Sequence, residues 1–178
     1  MSKKVLILSG SPRKGGNSDI LCDEFLRGAR EAGHQVEKVR PTEKKIAPCL
    51  GCYYCASHGG ECVRRDDMAD LLQQMIDADV IVLASPVYFY SINAQLKAVI
   101  DRFYANNEAL MGKKKAVFLT AMADEDQKTA SGANASFDLM ADYLGWEIVG
   151  RLNVGGCSTA DDLHEEDLTA AYELGKNL

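Results

Sequence analysis

Short apolar runs alternate with amphipathic helical patterns from one end of the chain to the other, and that alternation leaves few folds open. Lys4 to Ser9 is an apolar run that stops at Gly10-Ser11-Pro12, as a buried strand feeding a turn does. From an N-cap at Asn17 or Ser18, Leu21, Phe25 and Ala29 recur at four-residue spacing until Gly33, which predicts a helix and its stop. His34 to Val39 reads as a second strand. Asp66 and Asp67 are placed to cap a helix whose Met68, Leu71, Leu72, Met75 and Ile76 share one face. Val80 to Ala84, an unbroken apolar run, suits a central parallel strand buried on both sides. The pattern then repeats with Leu96 to Phe103 as helix, Ala116 to Ala121 as strand, Phe137 to Leu144 as helix, Trp146 to Val154 as strand, and Leu168 to Tyr172 as a closing helix.

Such βαβ units are right-handed, so the expected architecture is α/β: a five-stranded parallel sheet sandwiched between helices on both faces. With 178 residues, 47% of them hydrophobic, one domain over residues 1–178 is expected, needing neither disulfides nor metal to fold. In these sheets ligands sit outside the carboxyl ends of the strands, beside the point where strand order reverses. The net charge of -6, with acids spread along the chain, gives no footprint for nucleic acid or an anionic membrane surface. No apolar run approaches a membrane span, and Met-Ser-Lys-Lys leads straight into the first strand, so a cytoplasmic location is expected. Thiols stay reduced there. The six cysteines therefore read as metal-binding, redox or packing groups rather than a disulfide framework.

The loop after the first strand, Ser9-Gly10-Ser11-Pro12-Arg13-Lys14-Gly15-Gly16-Asn17-Ser18, offers hydroxyls and backbone N–H groups at a helix start, where an anion also meets the positive end of the helix dipole. It imitates a nucleotide-hydrolysing P-loop only in part, because Gly16 stands where that chemistry needs Lys and Asn17 where it needs a hydroxyl. The glycine fingerprint of a dinucleotide-binding turn is absent. A plain capped turn is the competing reading. After the third strand, Ala84-Ser85-Pro86-Val87-Tyr88-Phe89-Tyr90-Ser91 puts three consecutive rings on a turn, which suits a flat ligand gripped by stacking and edge contacts, or else packing against the next helix.

Cys49, Cys52, Cys55 and Cys62 crowd one short segment. Four thiolates suit a [4Fe–4S] cluster, and the first three share the bacterial ferredoxin spacing, while the longer interval to Cys62, with Gly59 and Gly60 inside it, raises the entropy of closing such a site. Zinc and free or redox-active thiols are the alternatives. Cys22 reads as a small core residue, and Cys157 as either packed or exposed.

Taken together, Ser9-Gly10-Ser11-Pro12-Arg13 with Asn17-Ser18, Ser85-Pro86-Val87-Tyr88-Phe89, and Gln95-Leu96-Lys97 to Asp101-Arg102 resemble the NAD(P)H-dependent FMN reductase and iron-sulfur flavoprotein families of the flavodoxin-like superfamily. The resemblance implies a flavodoxin-like sheet of order 2-1-3-4-5. It implies that Ser9, Ser11, Arg13, Asn17 and Ser18 hold the FMN phosphate and that Pro86, Val87, Tyr88 and Phe89 line the ring. Ala121 to Asp124 would approach from the other side, although Ala-Met-Ala-Asp carries no glycine. Iron-sulfur flavoproteins carry a compact cysteine motif ahead of an Asp-Asp helix start like Asp66-Asp67, whereas many flavin reductases show similar cysteines without a cluster. The activity implied is passage of electrons from NAD(P)H through FMN to a flavin, a quinone or a metal centre, the partner being a small molecule or a redox protein. The alternative is an electron carrier, flavodoxin-like or iron-sulfur, that never oxidises NAD(P)H itself. A homodimer or tetramer is implied in the same way.

Overall fold

The computed structural model describes residues 1–112 and 114–178. Five parallel strands, β1 (Lys4–Ser9), β2 (Gln35–Val39), β3 (Val80–Tyr88), a fifth in chain order, β5 (Lys115–Ala121), and β6 (Glu147–Val154), lie in the order β2-β1-β3-β5-β6. This is the expected flavodoxin-like order. A further two-residue strand, β4 (Ser91–Ile92), pairs antiparallel with the end of β3, so the sheet has six strands rather than the five expected. The principal helices are α1 (Asn17–Glu31), α3 (Met68–Asp77), α4 (Ala94–Ile100), α6 (Ser131–Leu144) and α7 (Glu165–Lys176), with short turns α2 (Tyr54–Ser57) and α5 (Asn107–Leu110) between them.

The alternation of side chains along each strand divides the interior in two. Leu6 and Leu8 of β1, Ile81 and Leu83 of β3, and Phe118 of β5 join α3, α4 and α6 in one core. Val5 and Ile7, Val80 and Val82, and Val117 and Leu119 join Leu21 and Phe25 of α1 and Ala171 of α7 in the other. Both faces of the sheet are covered, which is why β1 and β3 read as continuous apolar runs. Helices α1 and α7 cross at glycines: a Cβ on Gly28 would lie 2.0 Å from the Tyr172 carbonyl, and one on Gly175 2.1 Å from that of Phe25. The backbones approach to a distance no other residue permits. No helix among the described residues is long and apolar enough to cross a membrane.

Candidate functional site

Two loops meet at the carboxyl edge of the sheet, and a third segment leaves the end of β2. The first joins β1 to α1. Its helix starts at Gly16 with no side-chain cap, so neither Asn17 nor Ser18 is the N-cap that the sequence suggests. Asn17 and Ser18 are instead the first helical residues, 3% and 2% exposed, and among the described residues Asn17 Oδ1 and Ser18 Oγ have no hydrogen-bond partner. Buried polar atoms are rarely left this way, and the first turn of an uncapped helix adds N–H groups of its own. A phosphate or a chain of ligand hydroxyls is the kind of group this cradle fits.

Beneath the loop lies a charge network that sequence reading missed. Asp19, 2% exposed, accepts from Ser9 Oγ at 2.6 Å and the Gly15 N–H at 2.9 Å. It pairs with Lys38 at 2.8 Å and Arg40 at 2.6 Å, both from the end of β2. Burial pushes the Asp19 carboxyl up, but hydrogen bonds from Lys38, Ser9 and Gly15 outweigh it and bring the pKa to about 2. Arg40 also reaches the Ser11 carbonyl. Ser9, expected at the phosphate, thus has its hydroxyl turned inward to Asp19, and the Ser11 hydroxyl donates to the Arg13 carbonyl within the loop. Arg13 lies at the surface with Nη1 3.3 Å from the Ser158 carbonyl. Asn17 Nδ2 donates to the Cys157 carbonyl, which ties the loop to the end of β6. Cys157 itself is buried there, and Cys22 is fully buried in the α1 core, where burial pushes its thiol up to about 12.

The second loop is a β-hairpin. Val87 pairs with Ile92 and Tyr88 with Ser91, leaving Phe89 and Tyr90 as a two-residue turn. Both have left-handed backbone, φ 47° and 63°, in positions that favour Asn and Gly. For bulky residues this stores on the order of 1–2 kcal/mol each. The turn is held from behind by α6, where a Cβ on Gly132 would sit 2.2 Å from the Tyr90 carbonyl. Tyr88 is partly exposed and Phe89 98% exposed, whereas Pro86 is buried within β3 and Val87 half-buried. Pro86 is tolerated because β1 ends opposite Ala84, so no ladder bond is lost on that side. Asn93, 1% exposed, joins this loop to the first: its Nδ2 donates to the Gly10 carbonyl at 2.6 Å and its Oδ1 accepts from Ser85. On the far side, Met122 and Asp124 are bonded to Cys157 and Gly156 through the backbone, a closed edge without glycines of its own between Ala121 and Asp124.

The third element is the cysteine segment between β2 and α3. Cys49 and Cys52 are exposed, Cys55 and Cys62 half-buried, and all four line one cavity of about 410 Å³ together with Tyr53 and Tyr104. Among the described residues no three His, Cys, Asp or Glu side chains converge closely enough to hold a metal ion. The donor set of four thiols on one cavity nonetheless suits a soft, thiolate-ligated centre. The segment hangs from a narrow neck. Asp66 accepts from the Ala47 N–H and pairs with the Arg102 fork at 2.8 and 2.9 Å, while Arg102 also donates to the Ala47 carbonyl. Asp67 accepts from the Lys45 N–H and donates its own N–H to the Lys45 carbonyl. The Asp67 side chain therefore closes a loop and makes no cap to α3. Burial pushes the Asp66 carboxyl up, yet Arg102 and the Ala47 and Met68 N–H groups hold it below the usual carboxylate range.

Comparison with known proteins bears on this geometry. Residues 3–157 match the family model described as NADPH-dependent FMN reductase. The chain is 35% identical over 179 aligned residues, covering 98% of it and 78% of the relative, to an iron-sulfur flavoprotein of Archaeoglobus fulgidus. It is 42% identical to the iron-sulfur flavoprotein MJ1083 of Methanocaldococcus jannaschii over 99 residues, 56% of this chain and about half (51%) of that one. An NAD(P)H:quinone oxidoreductase from Methanothermobacter marburgensis shares the fold at TM-score 0.77 and 22% identity, over 99% of this chain and 96% of that one. The chain is an FMN-dependent oxidoreductase of flavodoxin-like fold and belongs to the NADPH-dependent FMN reductase family.

Proposed function

We propose that the protein takes electrons from NAD(P)H and passes them through FMN to a flavin, a quinone or a metal centre. The observation that carries this reading is the pair of unpartnered buried atoms, Asn17 Oδ1 and Ser18 Oγ, at the uncapped start of α1 beside the aromatic hairpin. When bound, FMN supplies a ring that accepts hydride from a nicotinamide and releases electrons singly or in pairs. The residues do the rest. Ser18 and the first N–H groups of α1 hold the phosphate, Asn17 Oδ1 accepts from a ligand hydroxyl, and Arg13 adds positive charge at the mouth. The Asp19 network and Asn93 keep the loop in shape without touching the ligand. Tyr88 and Phe89 hold the ring, and the strained, exposed turn is the form that presenting those rings takes. Anaerobic addition of NADPH or NADH to the FMN-loaded protein tests this: flavin absorption that bleaches at a rate saturating with nucleotide supports the reading, and flavin untouched by either nucleotide rejects it.

A second reading is favoured by the cysteine cavity, in which Cys49, Cys52, Cys55 and Cys62 hold a [4Fe–4S] cluster and the protein is a two-centre electron carrier. The neck formed by Asp66, Asp67 and Arg102 supports it, since a loop already closed at its base has less entropy to lose on gathering four ligands. Flavin reduced by a low-potential redox protein but not by NAD(P)H is the outcome that selects this reading over the first.

A further inference from the structure

The neck of the cysteine segment contains two buried donors without a nitrogen or oxygen acceptor among the described residues. Arg102 is 2% exposed and spends both terminal nitrogens on Asp66 and Ala47, yet its Nε has no partner. Arg64 Nε is buried and unpartnered in the same way. Both arginines line one cavity of about 450 Å³, and Cys62 lines it with them. The carboxylates of that lining are already engaged, Glu61 with Arg65 and Asp66 with Arg102. An N–H kept from water without an acceptor is costly, so a buried pair of them points to a group they serve.

We propose that Arg102 is a positioning residue for Cys62: its fork closes the neck of the cysteine loop, and its Nε–H, with that of Arg64, meets the Cys62 sulfur when that sulfur is a metal ligand. The inference rests on the cluster reading above. Asp66 holds the Arg102 fork in place, and a guanidinium in a protein stays charged, so the cavity that Cys62 lines is faced by a fixed cation. Hydrogen bonds to a ligand sulfur draw negative charge from an iron–sulfur centre and raise its potential.

Two variants test this. Arg102→Lys keeps a cation opposite Asp66 but places no nitrogen at Nε, and Arg64→Met leaves the neck intact and removes the second donor. After anaerobic reconstitution with iron and sulfide, FMN content, iron content and the cluster midpoint potential are measured. The expected result is wild-type FMN content in both, a more negative midpoint potential in both, and iron lost to a chelator about tenfold faster in Arg102→Lys. If Arg102→Lys loses FMN as well and so fails to fold, the potential of Arg64→Met decides. Wild-type protein that loads about four irons while both variants keep its potential overturns this inference alone. Wild-type protein that takes up no iron overturns the cluster reading and this inference with it.

Discussion

The β1–α1 loop and the cysteine segment leave the carboxyl ends of neighbouring strands, and they are built in opposite ways. The first has Ser11, Asn17 and Ser18 packed to 2–3% exposure around an exposed tip and is underlain by a carboxylate between two cations. The second keeps two of its cysteines in solvent, is tied by hydrogen bonds and an ion pair at its base, and rests against Tyr104 and Ala105 through Tyr53 and Gly60. A site held from beneath has its shape before any ligand arrives. A site held at a neck keeps its ends fixed and leaves its interior to be arranged by what binds.

Asp19→Ala is the harshest test of that contrast. It removes the buried partner of Lys38 and Arg40, leaving them only the exposed Asp23 and Glu43, and should cost about 3 kcal/mol of stability in urea unfolding; a loss under about 0.5 kcal/mol would show that the network is not what supports the loop. Ser18→Ala should weaken FMN binding more than about tenfold by fluorescence titration while leaving the apo-protein as stable as before, because the hydroxyl it removes has no partner in the protein. The same network sets a pH dependence. The Asp19 pKa falls on folding from 3.8 to about 2, so its contribution is complete above pH 3.8 and lost as the pH drops toward 2. That is about 2 kcal/mol, and it should vanish from the acid titration of Asp19→Asn. Phe89→Gly should relieve left-handed strain and stabilise the apo-protein by about 1 kcal/mol while disturbing the flavin spectrum. Lost stability would mean that the ring is packing after all. Smallest is Cys52→Ser, which in the metal-free protein should change the unfolding free energy by less than about 0.5 kcal/mol, as an exposed residue does.

The strands and long helices were legible because each buried element writes its own period into the chain. The first strand, for instance, was bounded correctly at Lys4 and Ser9. What the sequence concealed is long-range. Lys38 and Arg40 end an edge strand and look like solvated charges until α1 brings Asp19 between them. Asp66-Asp67 before an apolar helix reads as a capping signal; the Asp66 side chain does accept from the Met68 N–H, but it also turns back to Ala47 and Arg102, and that of Asp67 goes to Lys45 instead. The hairpin was hidden because Phe89-Tyr90 is the wrong chemistry for its turn, a local rule broken where the tertiary contact at Gly132 holds it. Spacing puts Ser9 at the end of β1 and Ser11 in the loop after it but cannot give direction: the Ser9 hydroxyl turns inward to Asp19 and that of Ser11 bonds the Arg13 carbonyl within the loop.

Helix α4 gives these regions a common ruler. Asn93, at its N-cap, holds the Gly10 carbonyl of the β1–α1 loop, and Arg102, just past its end, holds Ala47 and Asp66. At about 1.5 Å per residue, the nine steps between them amount to roughly 13 Å of stiff rod whose inner face, Leu96 and Val99, is sunk in the core. The two loops therefore cannot drift apart or slide independently. A single residue inserted into α4 would rotate one anchor by about 100° against the other, so mutual spacing is inherited as one unit.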